Sequence, residues 1–225
     1  MFRKLMERGT SYGVRKAAKA LWWELRIQKW DRTDRRRVKQ FLNGGEIKLN
    51  LGSGPNRKNG WVNIDLGADA DLNLDLRERF PFDDGSVSVI YSEHFFEHLE
   101  YPDEVGRVLG ESLRVLRPGG LFSVGVPDTA WPVTAYVTGD EEYFRSARAH
   151  RHRYPCTTRM HDLNYHFRQG SEHKYSYDEE TLAEVLRNAG FVSVAARQWD
   201  PAMDAPERRL GTLYMDGRKP PAQTA

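Results

Sequence analysis

Apolar residues come in short runs punctuated by turn residues through the first half of the chain. Ile47–Leu51, Trp61–Asp65, Leu72–Leu74, Val87–Ser92 and Leu121–Pro127 read as strands, the third of them short. Between the last two the period changes. Val105, Val108, Leu109, Leu113 and Leu116 recur at helical spacing, so Pro102–Leu116 reads as a helix. Arg117-Pro118-Gly119-Gly120 ends it, because proline cannot continue a helix and glycine permits the reversal. Strands alternating with helices argue for a parallel sheet covered by helices. Further on, Asp178–Ala189 reads as a helix closed by Gly190, and strands at Phe191–Gln198 and Leu210–Asp216 lie close enough for an antiparallel edge.

Two stretches depart from this rhythm. Residues 12–42 read as helical, with Val14, Ala17, Ala18, Leu21, Trp22, Leu25 and Ile27 near helical spacing. Residues 128–176 are rich in Arg, His, Tyr and Phe and poor in aliphatic residues. The chain therefore divides into a basic helical arm (1–45) and an α/β domain (46–220) interrupted by an insert (128–176), with a frayed end at Pro220–Ala225. There is no internal repeat.

Composition narrows the class. The 225 residues suffice for one elaborated α/β domain. No apolar run approaches the roughly 20 residues that span a bilayer, and the first residues lack the pattern of a secretory signal. A lone cysteine, Cys156, excludes an internal disulfide framework and a cysteine-based zinc cluster. The expected location is the cytoplasm. Net charge is only +2, but residues 1–40 hold thirteen Lys/Arg against four Asp/Glu. Such an arm either packs as a solvated helix on the core or a second subunit, or meets an anionic surface such as a membrane. Trp22, Trp23 and Trp30 suit a membrane interface, or else cap the end of the sheet.

The chemistry begins at Lys48-Leu49-Asn50-Leu51-Gly52-Ser53-Gly54, answered by Val62-Asn63-Ile64-Asp65. A strand runs into Gly-x-Gly, and the next strand ends on a carboxylate. Glycines let a ligand approach the backbone, and an acid at the neighbouring strand tip takes ribose hydroxyls. Only eleven residues lead from Gly54 to Asp65, whereas a dinucleotide fold wants roughly twenty with a full helix between. The link is expected to be a loop or a single helical turn.

Five elements in order resemble the class I S-adenosylmethionine-dependent methyltransferases, from Glu46 to Asp216. They are the glycine motif, the strand ending at Asp65, Asn73-Leu74-Asp75-Leu76 with Pro81–Ser86, Tyr91–Leu99, and Leu113–Leu121. The resemblance implies a Rossmann-like, doubly wound, mostly parallel seven-stranded sheet and S-adenosyl-L-methionine as cofactor. It assigns cofactor contacts to Asn50, Leu51, Gly52, Ser53, Gly54, Asp65, Leu66, Asp75, Leu76, Ser92 and Glu93. Asn50 departs from the pattern, which usually has an acid there, and a third glycine is replaced by Asn56.

A methyl on a positive sulfur needs an aligned nucleophile, and an alcohol also needs a base. His94, at the exit of the fourth strand, is the first candidate. His98 follows by a helical turn, on the same face if the segment is helical, and His166 and His173 are further candidates. A His-x-x-x-His pair can also ligate a divalent metal, with His161, Asp162, His166 or His173 completing the set, but no metal is expected. The insert reads as a lid over the acceptor. Trp131, Tyr165, Phe167 and Tyr175 would stack on a ring, while Arg145, Arg148, Arg151, Arg153, Arg159 and Arg168 would hold phosphate or carboxylate. The resulting expectation is O-methylation of a saccharide or glycolipid-type acceptor with a His base. Rival readings are methylation of a membrane quinone or small aromatic, and a cofactor-binding regulator without catalysis. Nucleic acid is not an expected partner; peripheral membrane contact through residues 1–40 and a homodimer are.

Overall fold

The computed structural model describes residues 10–42, 45–150 and 155–222. Helix α1 (Tyr12–Arg35) precedes strands β1 (Ile47–Leu51), β2 (Val62–Ile64) and β3 (Val87–Glu93). Helix α2 (Asp103–Val115) leads into β4 (Leu116–Pro127), and then come α3 (Ala130–Thr138), α4 (Glu141–His150) and α5 (Arg159–Arg168). Helix α6 (Glu179–Asn188) and strands β5 (Val192–Arg197) and β6 (Thr212–Arg218) complete the chain.

One six-stranded sheet has the order β2-β1-β3-β4-β6-β5, with the first four strands parallel and β6 antiparallel to both neighbours. Central parallel strands are buried on both faces and are accordingly apolar. Leu49, Leu51, Ile64, Ile90, Phe122 and Val124 are all within 1% of complete burial. Helix α2 adds Val105, Val108, Leu109 and Val115, spaced to share one face.

The sheet has six strands where the resemblance implied seven, because Leu72–Leu74 makes only a single bridge, from Leu72 to Ile64. Acids of α1 take the N–H groups of Asn73 and Asp75. Asn73 N–H donates to Asp34 Oδ2 at 2.7 Å, and Asp75 N–H to Asp31 Oδ1 at 3.1 Å. Side chains three apart on the helix thus satisfy N–H groups two apart on an extended segment, ending the sheet without an exposed edge. The arm is joined to the core by its acids Asp31 and Asp34 and by Arg35, which donates to Arg79 O at 2.7 Å. Only Ile27, Asp31 and Asp34 of α1 are buried. Trp22, Trp23 and Trp30 do not cap the sheet; they gather around the Arg26 guanidinium, which lies 4.2 Å from the Trp30 ring centroid.

As expected, no helix forms between β1 and β2. Two asparagines hold the loop in its place. Asn50 Nδ2 donates to Asn56 O and to Asn63 Oδ1, both at 3.0 Å, and Asn63 Oδ1 also accepts Lys58 N–H at 2.7 Å.

The insert is more ordered than its composition implied. Its first two helices share a small core of Ala135, Tyr143 and Phe144. Its ends are tied by the Asp128–Tyr177 bridge and by Thr129 N–H donating to Tyr177 O at 3.0 Å. Among the described residues no helix is long and apolar enough to cross a membrane.

Candidate functional site

The glycine turn and the β2 acid meet at the carboxyl ends of adjacent parallel strands. Gly54 N–H donates to Asp65 Oδ2 at 2.7 Å, and Leu66 N–H donates to Asp65 Oδ1 at 2.6 Å. Each carboxylate oxygen has a second lone pair, so the acid can accept ribose hydroxyls while it holds the turn. Gly54 has φ +48° and open space where a Cβ would stand. Ser53 donates its N–H to Ile64 O, and its hydroxyl is buried beside the turn with no partner. An open turn, a doubly anchored acid and an unpaired hydroxyl fit the sugar and methionine portions of a nucleoside-type methyl donor.

Other residues assigned to the cofactor are committed elsewhere. Gly52, with φ +65°, makes room for a protein side chain rather than a ligand: a Cβ there would lie 2.5 Å from Phe95. The Asn50 amide is spent on the loop, and the Leu51 and Leu76 side chains are core. Ser92 is fully buried and donates to Leu51 O. Glu93 accepts Tyr214 O–H at 2.7 Å; Tyr214 reaches it across Gly125, where a Cβ would stand 2.7 Å from the ring. The Asp75 carboxylate is gripped by the Arg77 guanidinium at 2.8–2.9 Å. Burial opposes its charge, but the Arg77 hydrogen bonds outweigh this and hold its pKa below the ordinary value.

At the exits of β3 and β4 lies a cavity of about 570 Å³, lined by His94, Trp131, Tyr143, Tyr165, His166, His173, Arg208 and Arg209 among others. His94 enters it from the β3 exit with φ +54°, its N–H donating to Gly125 O. Its Nε2 lies 2.9 Å from Thr212 Oγ1, and its Nδ1 lies 3.1 Å from Arg208 Nη1. Guanidinium only donates, so Nδ1 accepts and Nε2–H donates to Thr212. Burial, then the charge of Arg208 and the nearby histidines His173, His98 and His166, push its pKa well below that of free imidazole. His94 is therefore neutral at pH 7.

His94 and His98 do not share a helix face. The left-handed backbone at His94 and the single 3₁₀ turn Phe96–His98 break the register expected of a helix. Glu97 stands between them instead, its Oε1 3.4 Å from His94 Nδ1 and 3.8 Å from His98 Nε2. It is 2% exposed, and burial pushes its pKa up to about 8. His98 packs edge-on against His173, with centroids 5.2 Å apart. His166 Nε2 lies 3.1 Å from Thr129 Oγ1. The lid meets the β3 exit through the Glu97 carbonyl, which accepts Lys174 N–H at 2.7 Å.

Trp131 and Tyr165 line the cavity as expected. Tyr175 instead stacks on Tyr101 at 4.4 Å, and Phe167 packs edge-on against His166. Of the arginines expected to hold an anion, Arg148 is paired with buried Asp162 and Arg159 with Glu141. Arg145 and Arg168 are exposed, while Arg151 and Arg153 lie outside the described residues. The cavity's cations are Arg208 and Arg209, from the β5–β6 loop, which sequence reasoning passed over. Their signal was the charged run Glu207-Arg208-Arg209 beside Leu210. The loop is fastened to β3 and β5: Asp204 accepts Tyr91 O–H at 2.9 Å and pairs with Arg197 at 2.6 Å.

A mostly parallel sheet with an antiparallel β6, and a glycine turn clasped by the acid of the adjacent strand, define a Rossmann-like fold of the class I methyltransferase type. Residues 63–124 match the family model of the methyltransferase domain, which bears out the resemblance read from the sequence. Over 69 residues the chain is 41% identical to uncharacterized methyltransferases of two Mycobacterium strains, KMS and MCS. That stretch is 31% of this chain and 26% of each relative, so the match spans about a quarter of the relatives' length. Among solved structures, a SAM-dependent methyltransferase from Methanosarcina mazei aligns over 82% of this chain and 97% of its own, with 15% identity and a TM-score of 0.49.

Proposed function

We propose that this chain is an S-adenosylmethionine-dependent methyltransferase that O-methylates a hydroxyl of a saccharide or glycolipid-type acceptor. The observation that carries the reading is the Gly54–Asp65 clasp with its open glycine face, accompanied by a separate cavity that His94 enters. Asp65 would hold the ribose hydroxyls, with Gly54 and Ser53 beside the methionine portion. Bound there, the cofactor supplies a methyl group made electrophilic by a sulfonium.

His94 is the group to take the acceptor proton. Its lowered pKa keeps it neutral, and Arg208 has to yield before the Nδ1 lone pair can accept from substrate. Arg208 and Arg209 supply positive charge for an anionic acceptor, and Trp131, Tyr143 and Tyr165 supply rings for a sugar face. Two arginines favour a polar acceptor over a quinone. Residues 128–176 would act as the lid over it.

Calorimetry with S-adenosylmethionine tests cofactor binding, and transfer of labelled methyl to candidate acceptors tests the reaction. Binding without transfer would favour a regulatory protein. Residues 1–45 would form an arm at the cytoplasmic face of a membrane, supported by exposed Trp22 and Trp23 beside Lys and Arg. Co-sedimentation of the full chain with anionic vesicles tests this, and a homodimer through the same face is the alternative outcome.

A further inference from the structure

We propose that Glu97, His98 and His173 form a binding site for a first-row divalent metal ion, at the seam between the β3 exit and the insert. One ligand atom from each of the three lies within 4.8 Å of the others, so a common point is within bonding reach after small side-chain shifts.

Both imidazoles are prepared for such an ion. His98 Nδ1 lies 3.1 Å from Glu172 O, and His173 Nδ1 lies 2.7 Å from His166 O. A backbone carbonyl only accepts, so both Nδ1 atoms carry the proton and both Nε2 atoms keep a lone pair. An N–H held by a backbone carbonyl is the usual outer support of a metal-bound histidine, fixing tautomer and ring orientation.

Glu97 supplies the second observation. It is 2% exposed, and among the described residues neither carboxylate oxygen has a hydrogen-bond partner. A buried, unpaired carboxyl is costly. A cation placed between it and the two lone-pair nitrogens would be met by all three groups at once. Glu97 and His173 also line a small crevice together with Tyr177, whose hydroxyl is likewise buried and without a hydrogen-bond partner among the described residues.

Two imidazoles and one carboxylate match borderline ions of the zinc and iron type, and three protein ligands leave a position for an oxygen donor. His173 lines the larger cavity too, so an ion here would reach an acceptor oxygen from the lid side. That role rests on the methyl-transfer reading, but the ion site itself does not.

The test is calorimetric titration of the chelator-stripped full chain with Zn²⁺ in the absence of methyl donor. We expect about one ion per chain. Glu97→Gln and His173→Ala should each weaken binding by at least roughly 10–100-fold, the loss seen even for outer-shell partners. His161→Ala, in the exposed part of the insert, should bind as the parent does. Co²⁺ substitution should give the intense visible absorption of a low-coordinate site, lost in Glu97→Gln. Circular dichroism checks that the variants fold, and the isosteric Glu97→Gln serves if His173→Ala does not. No binding by the parent, or equal binding by parent and Glu97→Gln, overturns the proposal. S-adenosylmethionine binding is measured separately, so either reading can fail alone.

Discussion

The Asp65 carboxylate accepts the Gly54 N–H at 2.7 Å, joining the tip of β2 to the turn after β1, and the loop 52–61 between the two strands contains no helix. The clasp shapes the turn without exhausting the acid, since each carboxylate oxygen keeps a second lone pair.

Gly52→Ala should destabilise the fold. The new methyl would lie 2.5 Å from Phe95 in a left-handed backbone that alanine avoids. We expect a loss of roughly 2 kcal/mol or more, from backbone strain plus overpacking, read as a lower midpoint in urea. Adding Phe95→Ala should relieve the clash but not the backbone cost. An unchanged midpoint in the single variant would mean that Phe95 does not occupy this face.

Asp204 ties the β5–β6 loop, with its cavity arginines, to Arg197 and Tyr91. Burial opposes its charge, but hydrogen bonds from Arg197 and the Asp200 N–H outweigh this and hold its pKa below 3.8. The native state thus binds fewer protons here than the unfolded chain does. The stabilisation is complete above the unfolded value and is lost as pH falls through the native one. Asp204→Asn should cost about 3 kcal/mol at pH 7 and flatten the acid limb of stability against pH, measured by denaturant melts below pH 5.

The rate of methyl transfer should show no histidine limb near pH 6.5 if His94 is the base. Burial and then Arg208, with His173, His98 and His166 adding to it, keep its imidazole neutral to well below that value. The acid limb of kcat/KM should therefore appear at lower pH. Arg208→Gln removes the nearest positive charge and should move that limb upward, while His94→Gln should lower kcat by about 100-fold or more. A limb at 6.5 that ignores Arg208 would assign the base elsewhere.

Asp34 lies 5% exposed under α1 and accepts both the N–H and the side-chain amide of Asn73. Asp34→Ala should release the arm from the sheet edge at a cost of about 1–3 kcal/mol for the N–H groups left unpaired. Limited proteolysis between α1 and β1 should accelerate in this variant. Equal cleavage in both would show that the arm is held by other contacts.

The sheet and its partner helices were legible because buried parallel strands are written as apolar runs and α2 as a 3.6-residue repeat. Leu72–Leu74 looked like a strand for the same reason; its pairing was pre-empted by Asp31 and Asp34, some forty residues upstream. Asp65 was readable from position alone. The uses of Gly52, Asn50 and Asp75 were not, since each depends on a partner that local pattern does not name: Phe95, Asn63 and Arg77. Arg148 and Arg159 resembled anion binders in composition, yet both are balanced by acids within the insert. The pairing of His98 with His173 arises only when the insert folds back onto the β3 exit.

The most direct test of the central claim is calorimetric titration of S-adenosylmethionine onto the full chain and onto Asp65→Ala. The parent should bind with one-to-one stoichiometry. The variant should bind at least about tenfold more weakly, the equivalent of one lost hydrogen bond to a charged group, while keeping its circular dichroism. No binding by the parent, or equal binding by both, would contradict the account.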